Sequence, residues 1–254
     1  MPQLNKYGNY KRLLKIDEIR NRFNLHRKLH DFEVDELFKD VKHRKFNNIQ
    51  YRYLEKGIRY QGVIDIETSD FNPHKNFIIG YVMVVRDLVT NKEVLYKDNI
   101  QKKDIAEAVK NDSFDFDKRL LLQLGKYLAK CDHLVGHYSS KFDIPYIRSR
   151  LLLTDQQESI PQYGQIRYGD TWRMMKNSIK APRNTLKNLA IYTHTKDQKT
   201  HVDYEHWQRI WFKDSPLWNR SMKYIMDHCI YDVKMTVRAL KKIETFNGIP
   251  MAMV

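Results

Sequence analysis

The sequence predicts an α/β fold: a mixed β-sheet with flanking helices, preceded by a basic, mainly helical N-terminal extension. Three observations carry this. Runs rich in Ile, Val and Tyr at residues 61–68, 77–85 and 92–97 follow one another across short connections, which makes them an antiparallel meander. Beyond them, helical periodicities alternate with short strand-like runs. Residues 1–57 hold 14 Lys and Arg against 8 Asp and Glu, threaded with apolar residues at near-helical spacing.

With 254 residues and 42% hydrophobic content, the chain can build one good-sized domain with an appendage, and wholesale disorder is excluded. A formal net charge of +14 points to a polyanionic partner, most simply nucleic acid. A membrane surface fits less well, because no long basic helix with a clean apolar face is legible. No apolar run approaches the length of a bilayer span. Met1 to Lys6 lack the apolar core of a signal peptide, and Cys131 and Cys229 suggest neither a disulfide framework nor a zinc site. An intracellular, reducing compartment, the cytoplasm, is expected.

In the leader, Leu13, Leu14, Ile16 and Ile19 lie near helical spacing. Phe32, Val34, Leu37, Phe38 and Val41 repeat it, with Asp31 placed to cap the second helix. Lys11, Arg12, Arg27, Lys28, Arg44 and Lys45 are candidate phosphate contacts of a nucleic-acid clamp, with aromatics from Tyr7 to Tyr53 available to stack. Two amphipathic helices packed on the main domain would give the same pattern. No linker rich in Gly, Pro or Ser follows, so the extension, 1–57, is expected to dock on a domain spanning 58–254.

The domain then reads in order. After the meander come a short helix at 104–110 and a longer one at 116–130 with the stripe Leu120, Leu121, Leu124 and Leu128. A short buried strand, 133–137, leads through a small-residue loop into a helix that Asp143 opens, running to about Leu153. Residues 167–172 form a strand that enters a helix ending near Ile179. Asn184 is placed to cap a further helix through Leu186, Leu189 and Ala190. Residues 192–203 read as loop, and His194, His201 and His206 with Asp203 match no zinc spacing. Trp207 and Trp211, four apart on a predicted helix, are expected in the core. Residues 222–243 read as one continuous helix.

Chemistry enters at Gly62-Val63-Ile64-Asp65-Ile66-Glu67-Thr68. In a strand, residues two apart share a face, so Asp65 and Glu67 project together. Alone, the pair is an ordinary solvated strand end. Side by side, two carboxylates repel unless a cation joins them, and a hard divalent cation is the natural partner. Asp143, at the turn from strand to helix, is accounted for as a cap or as a third acid of the same site. His228 and Asp232 are four apart on the last helix, hence on one face: a surface pair, or a base beside a metal ligand.

Assembled, these stretches resemble the DEDD superfamily of 3′–5′ exonucleases, which have a ribonuclease H-like fold and include proofreading domains of DNA polymerases. Asp65 and Glu67 match the first motif, Asp143 the second and Asp232 the third, across residues 60–245. Asp170-Thr171 and Leu186-Lys187-Asn188-Leu189-Ala190 look most like the branch related to family B polymerase proofreading domains and small stand-alone exonucleases. One position departs. The tyrosine branch has Tyr, three residues, then Asp; the histidine branch has His, four residues, then Asp. Here His228 stands at the tyrosine spacing, and Asp227 at the histidine one.

The resemblance implies two Mg²⁺ or Mn²⁺ ions held by Asp65, Glu67, Asp143 and Asp232. Asp65 would bridge both, Glu67 and Asp232 would complete one site, and Asp143 would support the other. It implies that His228 does the tyrosine's work of orienting or deprotonating water, and that nucleoside 5′-monophosphates leave from 3′ ends, single-stranded DNA being favoured. Thr68, Lys141 and Arg148 are candidate strand contacts. RNA as substrate, or a binding protein without catalysis, are the alternatives. A polymerase or replication partner would act in trans.

Overall fold

A computed structural model describes residues 48–161, 164–195 and 203–248. The leader's Lys11, Arg12, Arg27, Lys28, Arg44 and Lys45, and both of its predicted helices, lie outside the described residues. Five strands, β1 (Tyr60–Thr68), β2 (Ile78–Asp87), β3 (Glu93–Asn99), β4 (His133–Gly136) and β5 (Arg167–Asp170), form one sheet in the order β3-β2-β1-β4-β5. β1, β2 and β3 pair antiparallel, as the closely spaced apolar runs predict. β4 and β5 add in parallel on the other side of β1, so the sheet is mixed and β1 lies at its centre.

Eight α-helices are described, α1 (Asn48–Glu55), α2 (Lys102–Lys110), α3 (Lys118–Leu128), α4 (Asp143–Leu153), α5 (Thr171–Ser178), α6 (Leu186–Tyr192), α7 (Glu205–Arg209) and α8 (Trp218–Asn247), with a short 3-10 helix at Gln157–Ser159. They cover both faces of the sheet, and two glycines show how. Gly80 pairs with Glu67 and shares its face; a Cβ there would meet Met226 Sδ of α8 at 2.4 Å. Gly62 is on the opposite face by the two-residue period, and a Cβ there would meet Cys131 Sγ, just past α3, at 2.9 Å. The long helix thus lies against the face that presents Asp65 and Glu67.

Sequence periodicity marks α8 over 222–243, but the helix runs from Trp218 to Asn247. Trp218 and Glu244, which lie just outside that span, are both buried, so tertiary packing carries the helix past its regular stripe. Gly248, at φ 80°, ends it. Two other expectations change. Thr185, not Asn184, caps α6, its hydroxyl accepting from Asn188 N at 3.2 Å. The Asn184 carbonyl instead lies 3.1 Å from His137 Nε2. Trp211 lies beyond α7, partly exposed, with its ring edge-on to Phe77.

Two buried polar clusters brace the fold. Arg150 of α4 donates from Nη2 to Asp117 Oδ1 at 2.7 Å and from Nε to Asp117 Oδ2 at 2.9 Å. Asp117 also accepts from Ile78 N, and Arg150 donates to the Pro73 carbonyl, so one ion pair joins α4, the start of α3 and the start of β2. At the far end of β1, Tyr53 of α1 donates to Glu244 of α8 at 2.8 Å and accepts from Gln61 of β1 at 2.8 Å. Arg86 of β2 donates to Gln61 and lies 3.6 Å from Glu244. Tyr53 and Ile58 pack with Leu88, so α1 is built into the sheet's edge. Among the described residues, no helix is long and apolar enough to cross a membrane.

Candidate active site

Three elements converge at the C-terminal end of β1. The strand delivers Asp65 and Glu67, both partly buried, between the buried Val63, Ile64 and Ile66. A register shift between Glu67 and Thr68 ends regular pairing there, as bulges beside functional sites do. Asp143, the first residue of α4, is buried. Its Oδ1 accepts from Ile66 N of β1 at 3.0 Å, so the second acid is latched to the backbone between the first two. α8 supplies Asp232 and His228, both buried, with Nε2 of the histidine 3.6 Å from Oδ2 of the aspartate.

The electrostatics record how close these groups are. Burial, then the charges of Asp143, Glu67 and Asp232, push the Asp65 carboxyl well above the ordinary carboxylate range. Burial pushes Asp143 up to about 7, against the Ile66 hydrogen bond and with Asp170 adding to the rise. Four acids gathered in this way are stable as anions only with positive charge among them. The only group of three metal-ligating side chains found among the described residues is Asp65, Glu67 and Cys229, whose ligand atoms lie within 4.8 Å of one another. Cys229 Sγ sits 3.4 Å from Asp65 Oδ2, and burial and then the charges of Asp65 and Glu67 hold the thiol well above its usual range. A protonated thiol is a poor ligand for a hard cation. The donor set that remains is carboxylate oxygen, which fits Mg²⁺ or Mn²⁺.

The loop between β4 and α4 brings Asp143 into place. Gly136 must be glycine: a Cβ would meet Ser139 Oγ at 2.6 Å and the Ile64 carbonyl at 3.0 Å. Tyr138 holds a left-handed backbone, φ 66°, unusual for a bulky residue. Asp170, buried at the end of β5, holds this turn. It accepts from Tyr138 N at 2.9 Å, from Ser140 N at 3.0 Å and Oγ at 2.6 Å, and from Trp172 N at 2.8 Å as the cap of α5. His137 lies 3.0 Å from Thr171 Oγ1 on one side and 3.1 Å from the Asn184 carbonyl on the other. The sequence marks Asp170-Thr171 only as a soft similarity. The cap pattern of Asp before Thr-Trp was the available signal for its structural part.

Other expected residues are placed as follows. Thr68 ends β1 and is partly buried; Lys141 is exposed on the loop before Asp143. Arg148 lies farther along α4, its guanidinium 5.3 Å over the Tyr168 ring. Asp227 points away to an ion pair with Lys223, and Tyr231 is 46% exposed, so neither joins the acids as His228 does. His206 stacks on Tyr224 and lies 3.0 Å from Ser221 Oγ; His194 is exposed after α6, and His201 is outside the described residues.

The profile of the RNase_H superfamily matches residues 63–245, and the chain belongs to that superfamily. The family B DNA polymerase from the hyperthermophilic archaeon Pyrobaculum calidifontis is similar in structure, with a TM-score of 0.50 at 16% identity. That match covers 74% of this chain and 25% of the polymerase chain, so this chain spans about a quarter of the polymerase's length. At such identity the likeness shows the fold. No curated protein matches the sequence.

Proposed function

We propose that the protein is a divalent-metal-dependent 3′–5′ exonuclease that hydrolyses the terminal phosphodiester of a DNA strand, single-stranded DNA being favoured, and releases nucleoside 5′-monophosphates. The observation that carries this reading is the convergence of Asp65, Glu67, Asp143 and Asp232 in one electrostatically coupled cluster at the end of β1. Membership of the RNase_H superfamily supports nuclease chemistry. The spacing of the acids favours the exonuclease branch with tyrosine in the third motif.

Asp65, Glu67, Asp143 and Asp232 would hold two Mg²⁺ or Mn²⁺ ions, which supply a more acidic water and neutralise charge on the reacting phosphate. The rest falls to the chain. Asp143, latched to Ile66 N, keeps a fixed position relative to Asp65 through the shared strand. His228, held beside Asp232 on one helix face, orients the attacking water or takes its proton. Thr68 and Lys141, flanking the acids on β1 and on the loop, contact the terminal nucleotides. The leader adds phosphate contacts, and a polymerase would be a partner in trans.

The test is a digestion series with Mg²⁺ or Mn²⁺ on strands labelled at the 3′ or the 5′ end, DNA beside RNA, with product sizing. Release of mononucleotides from the 3′ end by the wild type, and none by Asp65→Ala, is expected. Equal degradation by both proteins, or none by either, overturns the reading.

A further inference from the structure

One stretch has a charge pattern that the acid cluster does not use. From Thr171 to Thr195, through α5 and α6, the chain carries Arg173, Lys176, Lys180, Arg183 and Lys187 and no Asp or Glu. Lys176, Lys180, Arg183 and Lys187 are exposed, and none of the four forms an ion pair among the described residues. Four arginines elsewhere are spent on structure: Arg59 on Asp87, Arg86 on Glu244, Arg119 on Asp98 and Asp104, Arg150 on Asp117. The flank is also tied to the site. Asp170 caps α5 and holds the turn into Asp143, and His137 lies between Thr171 and Asn184, beside Arg183. Tyr138 and Trp172 meet edge-to-face, ring centroids 5.3 Å apart, at the join, and Lys176 lies 5.2 Å over the Trp172 ring.

We propose that the α5–α6 flank binds the phosphate backbone of a nucleic-acid strand upstream of the terminus held at the acid cluster. The inference names a surface of the site already proposed and rests on that reading for the strand's direction. A polyanion leaving the cluster past Tyr138 and Trp172 meets a stretch, 171–195, that carries cations and no Asp or Glu, the Asp170 carboxylate before it being buried under its own hydrogen bonds. α5, eight residues long, spans about 12 Å at 1.5 Å per residue, so the flank reaches more than one phosphate. Backbone contacts of this kind carry no sequence information and are read as salt dependence.

The test measures binding, without divalent ions, of labelled oligo(dT) of graded length to the full chain across a KCl series. The variant K176Q/K180Q/R183Q/K187Q is compared with K103Q/K110Q/K118Q/K126Q, which removes the same charge from exposed lysines of α2 and α3. All eight side chains are exposed, so both variants should melt within a few degrees of the wild type. The flank variant is expected to lose about 2 to 3 from the slope of log K against log salt, at ~0.7 per single-strand contact. It should lose tenfold or more in affinity for the longest strand and least for the shortest, while the α2–α3 variant keeps most of the wild-type slope. An unchanged slope in the flank variant overturns the proposal and leaves the flank to an acidic protein surface. An equal loss in both variants also overturns it, since net charge alone would then account for binding. Binding is read without turnover, so failure of the wild type to degrade any strand would count against the exonuclease reading and not against this one.

Discussion

Asp170 shows how a single carboxylate can matter to a site it does not enter. Three donors of the β4–α4 turn and the Trp172 N–H of α5 meet its two oxygens. Removing those oxygens would leave the buried Ser140 N–H unpaired, at a cost of about 1–3 kcal/mol, and two part-buried N–H groups with it, and would free a turn whose Tyr138 is held in a left-handed backbone. Asp170→Ala is therefore expected to lower kcat by roughly a hundredfold or more and to weaken divalent binding, with KM for a short strand changing less. Steady-state kinetics with a Mn²⁺ titration checks this; equal kcat would assign Asp170 to stability alone. His228 gives a second prediction. If it does the work of the tyrosine found at this spacing in the related branch, His228→Tyr should keep far more activity than His228→Phe. The phenylalanine variant should lose about 10²-fold or more, the usual worth of a positioned acid or base. Equal rates for the two would remove His228 from the chemistry.

At the scale of elements, the braces decide whether the acids stay in register. Arg150 and Asp117 are almost fully buried, and their paired hydrogen bonds join α4, which carries Asp143, to the starts of α3 and β2. Arg150→Met leaves the Asp117 charge buried and unpaired, for an expected loss of about 3–5 kcal/mol. The double variant with Asp117→Leu should recover part of it, and urea denaturation of the three proteins measures the difference. These elements were legible to different degrees. The meander and the stripe of α3 follow from local pattern, because one buried face leaves a clear period. The ends of α8 do not, since Trp218 and Glu244 are fixed by what they pack against. The cap of α6 was misplaced by one residue because Asn184 and Thr185 are both good caps, and only the fold shows that Asn184 is turned toward His137.

For the molecule as a whole, the acid cluster is a cost to the fold that a cation removes. Asp143 moves from 3.8 to about 7, and Asp65 moves in the same direction. The folded state thus keeps protons that the unfolded chain has released. Its stabilising share is fully present below about pH 4 and is lost as pH rises through about 7. Without divalent ions, the Tm is expected to fall by several degrees from about pH 5 to about pH 8, and Mn²⁺ should restore it most at the higher pH. Asp143→Asn should flatten that pH dependence while abolishing turnover. Scanning calorimetry with and without chelator tests both; a Tm that rises over this range would contradict the electrostatics. The four acids could be picked out from the sequence because their order and spacing match a known pattern. Cys229 was missed as a neighbour of the site and Asp170 was marked only as a soft similarity, since the folded chain is what brings them there.

α8 is one unbroken rod with work at both ends. His228 and Asp232 face the acid cluster, while Glu244, about 18 Å farther along at 1.5 Å per residue, accepts the Tyr53 hydroxyl of α1. Anyone trimming this chain to the part that matches the superfamily would be tempted to begin between residue 58 and residue 63, where that match starts. That cut removes Tyr53 and strips a hydrogen bond from the buried Glu244 on the helix that also carries Asp232. A shorter protein that keeps its last helix quiet would have to begin no later than Asn48.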